Sequence, residues 1–137
     1  MVDISGNINA GKVAGFWIET SDNDYQTMEN LFKSKDFHWS LFMGHLVLEK
    51  LLKASVVKET KKNAPFTHDL TKLAKIAGFN FSEEQLDMLD TITTFNLNAR
   101  YDSYKKAFYK KCTFEFTNQW INHIRDLRSW IKQQHTK

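Results

Sequence analysis

The fold is decided by the stretch Asp36–Lys58, which reads DFHWSLFMGHLVLEKLLKASVVK. Its apolar residues cover more than one side of a helix, and Asp36 is a suitable N-cap because its short carboxylate can accept a hydrogen bond from the first turn. A helix that is apolar on several sides belongs in the middle of a bundle. The sequence therefore predicts a central helix from about Asp36 to about Lys58.

Helical patterns continue on both sides of this stretch, and one proline and five glycines interrupt them rarely. The predicted elements are a helix over 12–33, one over 68–77 capped by Thr67 and closed by Gly78, one starting at the capping box Ser82–Gln85, and a last one starting at Tyr104 or Thr113 and ending near Gln134. We therefore predict an all-α, up-and-down bundle of four to five antiparallel helices. Residues 1–11 are predicted to form a flexible arm and residues 12–137 a single domain.

Composition narrows the functional classes. The single cysteine, Cys112, cannot form an internal disulfide, and the N-terminal residues lack the pattern of a signal peptide, so we expect a cytoplasmic protein. No apolar run is long enough for a membrane span. The five histidines form no HExxH motif, and no P-loop or GxSxG occurs, so neither a metal nor a cofactor is predicted. A net charge of +3 implies nucleic-acid binding only if the cations cluster locally.

Three local features carry ionisable groups. The first is Glu49-Lys50-Leu51-Leu52-Lys53 within the central helix. Taken alone, this pattern is typical of a solvated strip, with Glu49 paired to Lys53 one turn later.

The second feature is the segment Pro65–Leu70, in which His68 and Asp69 fall in the predicted first turn of a short helix. Asp69 suits the positive end of the helix dipole. His68 is either a structural hydrogen-bonding group or, because histidine titrates near neutral pH, an acid–base group.

The third feature is the segment Asn98–Lys111, where five cations oppose one anion and tyrosines and a phenylalanine are interleaved. Cations neutralise phosphate and aromatic faces stack on bases, so this composition suits a nucleotide or RNA site. The alternative is a basic amphipathic helix whose aromatic residues belong to the core, because the spacing of Tyr104 and Phe108 is also helical.

In this order the three features resemble the HEPN domain, a helical bundle named for nucleotide binding in higher eukaryotes and prokaryotes. The residues that carry the resemblance are His45-x3-Glu49-Lys50-x2-Lys53-Ala54, Pro65-x2-His68-Asp69-Leu70 and Ala99-Arg100-Tyr101-Asp102. The resemblance spans about residues 12–132. It implies a four- or five-helix bundle, often a homodimer, that acts as a nucleotide-binding module, a partner of a small nucleotidyltransferase or an RNA-cleaving toxin.

The ribonuclease members of that family use an arginine followed four to six residues later by a histidine. Here Arg100 is followed by Tyr-Asp-Ser-Tyr-Lys-Lys, so the resemblance favours the non-toxin, nucleotidyltransferase-associated branch. His135 follows Arg128 at a similar distance, but we expect that part of the last helix to be frayed.

Three hypotheses follow. The first is a non-catalytic module that binds a nucleotide or RNA phosphate, or docks a nucleotidyltransferase, as a homodimer; its predicted binding residues are Arg100, Tyr101, Tyr104, Lys105, Lys106, Lys53 and His68. The second is a metal-independent endoribonuclease toxin of a toxin–antitoxin pair, with Arg100 and His68 as catalytic residues. The third is a purely structural role, in which Glu49, Lys53, His68 and Arg100 form a buried polar network that stabilises the bundle, with Asp69 and Asp102 as further predicted members.

Overall fold

The computed structural model describes residues 8–137, and its regular structure in this range consists of six helices. They are α1 (Ala10–Lys33), α2 (Phe37–Thr60), α3 (Leu70–Ala77), α4 (Glu83–Arg100), α5 (Asp102–Lys111) and α6 (Phe114–His135). The predicted helical bundle is confirmed, but the predicted number of four to five helices is too small.

The additional helix comes from two breaks in the basic segment. Tyr101 is extended (φ −86°, ψ 128°) and separates α4 from α5. Thr113 then caps α6, its hydroxyl accepting a hydrogen bond from the backbone N–H of Phe116 at 3.2 Å. Of the two predicted starts for the last helix, Thr113 is therefore the right one, and Tyr104 lies within α5.

The four long helices alternate in direction. Ser21 and Ser40 donate to the backbone carbonyls of Val47 and Met28 respectively, which sets α1 antiparallel to α2. Aromatic pairs set α4 antiparallel to α6, because Phe81, just before α4, packs on Trp130 and Phe95 packs on Trp120. α2 contacts every other helix of the bundle. The predicted central helix is confirmed.

Close packing of α2 against α6 depends on Gly44. A Cβ atom at this position would lie 2.5 Å from Cδ1 of Ile124 and 3.2 Å from Sδ of Met28. These distances are too short for a side chain, so glycine allows the two helices to approach each other where the core is buried.

Three helix ends lie where the sequence predicts them. Asp36 precedes α2 as predicted, although its side chain binds the hydroxyl of Ser34 and not the helix backbone. Gly78 ends α3 in the left-handed conformation (φ 78°), and Ser82 and Gln85 form the predicted capping box.

Thr67 was the wrong cap for α3. Asp69 is the N-cap and accepts a hydrogen bond from the backbone N–H of Lys72 at 3.2 Å. α3 therefore begins at Leu70, and His68 lies in the preceding loop, outside the helix. This difference frees the His68 side chain to turn toward α2.

The two ends of the chain differ from the predictions in detail. α1 begins at Ala10, within the predicted flexible arm, and residues 1–7 of that arm lie outside the described residues. His135 is not frayed, because its Nε2 lies 2.6 Å from the hydroxyl of Ser55 on α2. None of the helices between residues 8 and 137 has the length and apolar character needed to cross a bilayer.

Candidate functional site

A buried ion pair on α2 forms the base of the candidate site. Glu49 is 5% exposed and Lys53 is 7% exposed, and Oε2 of Glu49 lies 3.2 Å from Nζ of Lys53. The predicted pairing one turn apart is present, but the solvated strip predicted from the local pattern is wrong. The Lys53 ammonium also lies 5.3 Å from the ring centre of Trp17, and this contact adds to its stabilisation.

His68 joins the buried carboxylate to the surface. Its Nδ1 lies 2.6 Å from Oε1 of Glu49, while 60% of its side chain is exposed. A carboxylate accepts hydrogen bonds, so Nδ1 carries a proton. A neutral imidazole in this tautomer carries its lone pair on Nε2, which can accept a hydrogen bond.

His45 holds the loop that carries His68. Its Nε2–H donates to the backbone carbonyl of His68 at 2.8 Å, and its Nδ1 accepts from the side-chain amide of Asn96 at 3.3 Å. Burial lowers the pKa of His45, only partly opposed by the hydrogen bond to the His68 carbonyl and by the charge of Glu49. A neutral His45 has one donor and one acceptor nitrogen, and both are used.

Asn96 links the side chain of His45 to that of Arg100. Because its amide nitrogen donates to His45, its Oδ1 is free to accept, and it does so from Nε of Arg100 at 2.8 Å. Nε of Arg100 also lies 3.3 Å from the backbone carbonyl of Asn96. Both contacts use Nε, which leaves the terminal amino groups of an exposed guanidinium for an anion. The ring of Tyr101 lies beside it, 5.3 Å from the guanidinium carbon.

One chain of polar contacts therefore connects the two exposed groups through α2 and α4. It runs in the order Lys53, Glu49, His68, His45, Asn96 and Arg100. Of the residues predicted for binding, the structure brings together Lys53, His68, Arg100 and Tyr101. We call this group, with Glu49, His45 and Asn96, the Arg100–His68 site.

The other predicted residues lie elsewhere. Lys105 and Lys106 line a separate cavity of about 340 Å³ on α5 together with Asp102. Tyr104 borders a smaller depression of about 140 Å³ between α4 and α5. Asp69 caps α3. Of the predicted network, Glu49, Lys53, His68 and Arg100 belong to the polar chain, whereas Asp69 and Asp102 lie outside it.

Two members of the polar chain were not predicted as site residues. His45 was quoted only as part of the family pattern, and Asn96 was not singled out. The available signal was their spacing, because His45 precedes Glu49, and Asn96 precedes Arg100, by four residues and so lies one turn away on the same face. A polar side chain at such a position, within a stretch that otherwise faces the core, indicates a buried hydrogen-bond partner.

A larger cleft lies at the far end of α4. It has a volume of about 640 Å³ and lies between the start of α4 and the middle of α6. Glu84 and Asp126 border it, so its charge is unfavourable for phosphate. Within residues 8–137, no three side chains of the metal-ligating types come together around one point.

Comparison with known proteins identifies the chain's relationships. The model of the family described as "HEPN domain" matches residues 14–134. The crystal structure of TT1696 from Thermus thermophilus is similar, with a TM-score of 0.73 at 14% sequence identity over 88% of this chain and 96% of that chain. At this identity the likeness concerns the fold alone. No curated protein matches the chain.

Proposed function

Since this chain belongs to the HEPN domain family, we propose that it is a cytoplasmic module that binds the phosphate of a nucleotide or of RNA at the Arg100–His68 site. The observation that carries the proposal is the way in which Arg100 is held. Asn96 fixes the guanidinium of the exposed Arg100 through Nε at 2.8 Å, and within residues 8–137 its two terminal amino groups have no hydrogen-bond partner. A guanidinium oriented in this way is ready to form paired hydrogen bonds with a phosphate.

The neighbouring groups support the same ligand. The His68 side chain is 60% exposed, and because Nδ1 is bound to Glu49, Nε2 is the nitrogen that can receive a hydrogen bond from a ribose hydroxyl. Tyr101 is 51% exposed, so its ring is available to a base. A purely structural network has no need for exposed members, whereas here the polar chain includes two exposed side chains, His68 and Arg100.

Titration of fluorescein-labelled hexauridylate RNA, followed by fluorescence anisotropy, tests the proposal. Removal of a charge-assisted hydrogen bond costs about 1.5–3 kcal/mol, so Arg100→Ala should weaken binding by about 10- to 150-fold. The matched control is Lys75→Ala, which removes one positive charge from an exposed position on α3. It should weaken binding less than about threefold, because it changes only the overall field.

Two outcomes would count against the proposal. Equal binding by wild type, Arg100→Ala and Lys75→Ala would show that the RNA binds elsewhere, and an absence of binding by all three proteins would remove the nucleic-acid function. Arg100→Lys adds a test of geometry. Lysine keeps the charge but cannot form the paired hydrogen bonds, so an intermediate affinity is expected.

A second candidate function is a metal-independent endoribonuclease, and the 2.6 Å contact between Glu49 and His68 favours it. In this reaction Nε2 of His68 takes the proton of a 2′-hydroxyl. The 2′-oxygen attacks the adjacent phosphorus and the bond from phosphorus to the 5′-oxygen breaks. The departing 5′-oxygen takes a proton from water, and His68 returns its own proton to water, which yields a 2′,3′-cyclic phosphate and a 5′-hydroxyl. Arg100 stabilises the negative charge of the phosphorane. The carboxylate would keep the histidine in the required tautomer.

Expression in a bacterial host separates the two functions. A ribonuclease of a toxin–antitoxin pair should arrest growth and fragment cellular RNA, and His68→Ala and Arg100→Ala should each relieve both effects. Normal growth with intact RNA for wild type and both variants would exclude the endoribonuclease and leave the binding function.

Exposed apolar side chains near the site support an association with a partner. Phe66, two residues before His68, is fully exposed, and Leu97, one turn before Tyr101, is 43% exposed. We propose that a second copy of the chain or a small nucleotidyltransferase covers them. Light scattering should give the mass of a homodimer, and Phe66→Ser should shift it toward the monomer. A monomeric wild type would leave only the nucleotidyltransferase.

A further inference from the structure

A second group of aromatic and basic side chains lies between the start of α2 and α5. The ring of His38 packs edge-on against Tyr109 at 5.2 Å and lies 4.9 Å from the ring of Trp39. Nζ of Lys105 lies 5.0 Å from the centre of the Trp39 ring. A cavity of about 340 Å³ is lined by His38, Tyr109, Lys105, Lys106 and Asp102. We call it the His38–Tyr109 pocket.

The aromatic residues of this pocket are not explained by the core. Phe108 points inward and is 4% exposed, whereas its neighbour Tyr109 is 65% exposed. The i,i+4 spacing that suggested a core role therefore accounts for Phe108 and not for Tyr109. An exposed phenol beside an imidazole offers flat surface on which a nucleobase can stack.

The charges of the pocket suit the rest of a nucleotide. Lys105 and Lys106 supply two cations for a phosphate, and the carboxylate of Asp102 can accept hydrogen bonds from ribose hydroxyls or base amino groups. A single anion beside two cations leaves the pocket positive. The combination of flat rings, cations and one acceptor matches a nucleotide better than it matches a simple anion.

The pocket is aligned with the Arg100–His68 site along α2. His38, His45, Glu49 and Lys53 are separated by seven, four and four residues, so they lie on one side of this helix. Asp102 lines the pocket and follows Arg100 by two residues, so at most about 7 Å of chain separates the Cα atoms of these two residues. Because successive phosphates of a stacked strand are about 3.4 Å apart along its axis, a phosphate at Arg100 and a phosphate at Lys105 and Lys106 can belong to nearby nucleotides of one strand.

We propose that the His38–Tyr109 pocket is a second subsite, which stacks a base of the same RNA strand whose phosphate is bound at Arg100. The ligand is then a single-stranded oligonucleotide and not a mononucleotide. This inference rests on the proposed binding function and adds to it the length and the strandedness of the ligand.

Competition experiments test the second subsite. Unlabelled uridine monophosphate and unlabelled hexauridylate are used to displace labelled hexauridylate from wild type and from Tyr109→Ala. Hexauridylate should bind wild type at least tenfold more tightly than the mononucleotide does. Loss of one stacked base should weaken hexauridylate binding by Tyr109→Ala about 5- to 150-fold. Tyr109 is exposed, so its replacement should not affect folding, which circular dichroism verifies.

The control variant is Tyr109→Phe, which keeps the ring and removes the hydroxyl and should bind like wild type. Equal hexauridylate affinity for Tyr109→Ala and wild type would overturn the second subsite. If Arg100→Ala still weakens both ligands in that case, the proposed function stands and only this inference fails. If Arg100→Ala weakens neither ligand, the proposed function itself fails.

Discussion

Replacement of Glu49 by glutamine probes the buried ion pair from which the site is built. Glu49→Gln keeps the shape of the side chain and removes its charge, so Lys53 remains with 7% exposure and no carboxylate partner. Breaking a buried pair in this way costs about 3–5 kcal/mol, because an uncompensated charge stays in the interior. A pair on a solvated helix face contributes only about 0.2–0.5 kcal/mol.

Urea unfolding followed by circular dichroism measures the difference. With a slope of about 2 kcal/mol per M, the expected loss lowers the midpoint by about 1.5–2.5 M. Lys50→Ala is the control on the adjacent position, because it removes the more exposed pair with Asp24. It should cost about 0.2–1 kcal/mol. The double variant Glu49→Gln/Lys53→Met removes both charges and should recover at least half of the loss.

The reasoning would be refuted by a Glu49→Gln variant that loses no more stability than Lys50→Ala. It would also be refuted if the double variant were less stable than Glu49→Gln, because the cost would then not come from the unpaired ammonium. Either result would mean that Glu49 and Lys53 behave as an ion pair on a solvated helix face, which is what the local sequence pattern alone indicates.

Three further predictions concern packing, pH and the support of the guanidinium. Gly44→Ala should lower the free energy of unfolding by about 1–3 kcal/mol, because the added methyl group overpacks the contact with α6. Gly15→Ala on α1, where nothing lies within 4 Å of the added Cβ, should raise the free energy of unfolding by about 0.5–1 kcal/mol, and thermal unfolding measures both changes. Burial and, to a smaller extent, the charges of two nearby lysines lower the pKa of His135 to about 4 in the folded state. Below pH 6.5 the unfolded chain therefore binds more protons than the folded chain does, and stability should fall as the pH is lowered from 6.5 to about 4. After allowance for solvent screening the loss is about 1–2 kcal/mol, and urea unfolding of His135→Gln should show a flatter profile over this range. Asn96→Ala should weaken hexauridylate binding about 2- to 12-fold in the anisotropy assay, because the Arg100 side chain must then be ordered when the RNA binds. An unchanged affinity would mean that Asn96 does not position the Arg100 guanidinium.

The fold was largely predictable because its signals are local. The apolar run of α2, the capping box at Ser82 and the C-terminal Gly78 are read from a few neighbouring residues, and each was confirmed. The number of helices was not, because the break at Tyr101 is made without glycine or proline. The cap of α3 was misplaced because Thr67 and Asp69 are both good capping residues, and tertiary contacts of the loop decide between them.

The candidate site was predictable only in part, since its members meet through tertiary structure. Glu49 and Lys53 are one turn apart, so their pairing follows from helix geometry, but their burial depends on α1 and on the loop before α3. The contact between His45 and Asn96 joins residues 51 positions apart. No local pattern reports such a contact. The basic segment was divided differently from the prediction, because the break at Tyr101 separates Arg100 from Lys105.

An NMR titration with hexauridylate RNA tests the central claim most directly. The Nε–Hε signal of Arg100 and the ring signals of His68 should shift progressively with added RNA. The Nε–Hε signal of Arg125 should remain in place, because that guanidinium is held by Glu29 on the other face of the bundle, at 2.6 Å. Shifts at Arg125, or at Trp130 in the acidic cleft, with unchanged signals for Arg100 and His68 would contradict the assignment of this site.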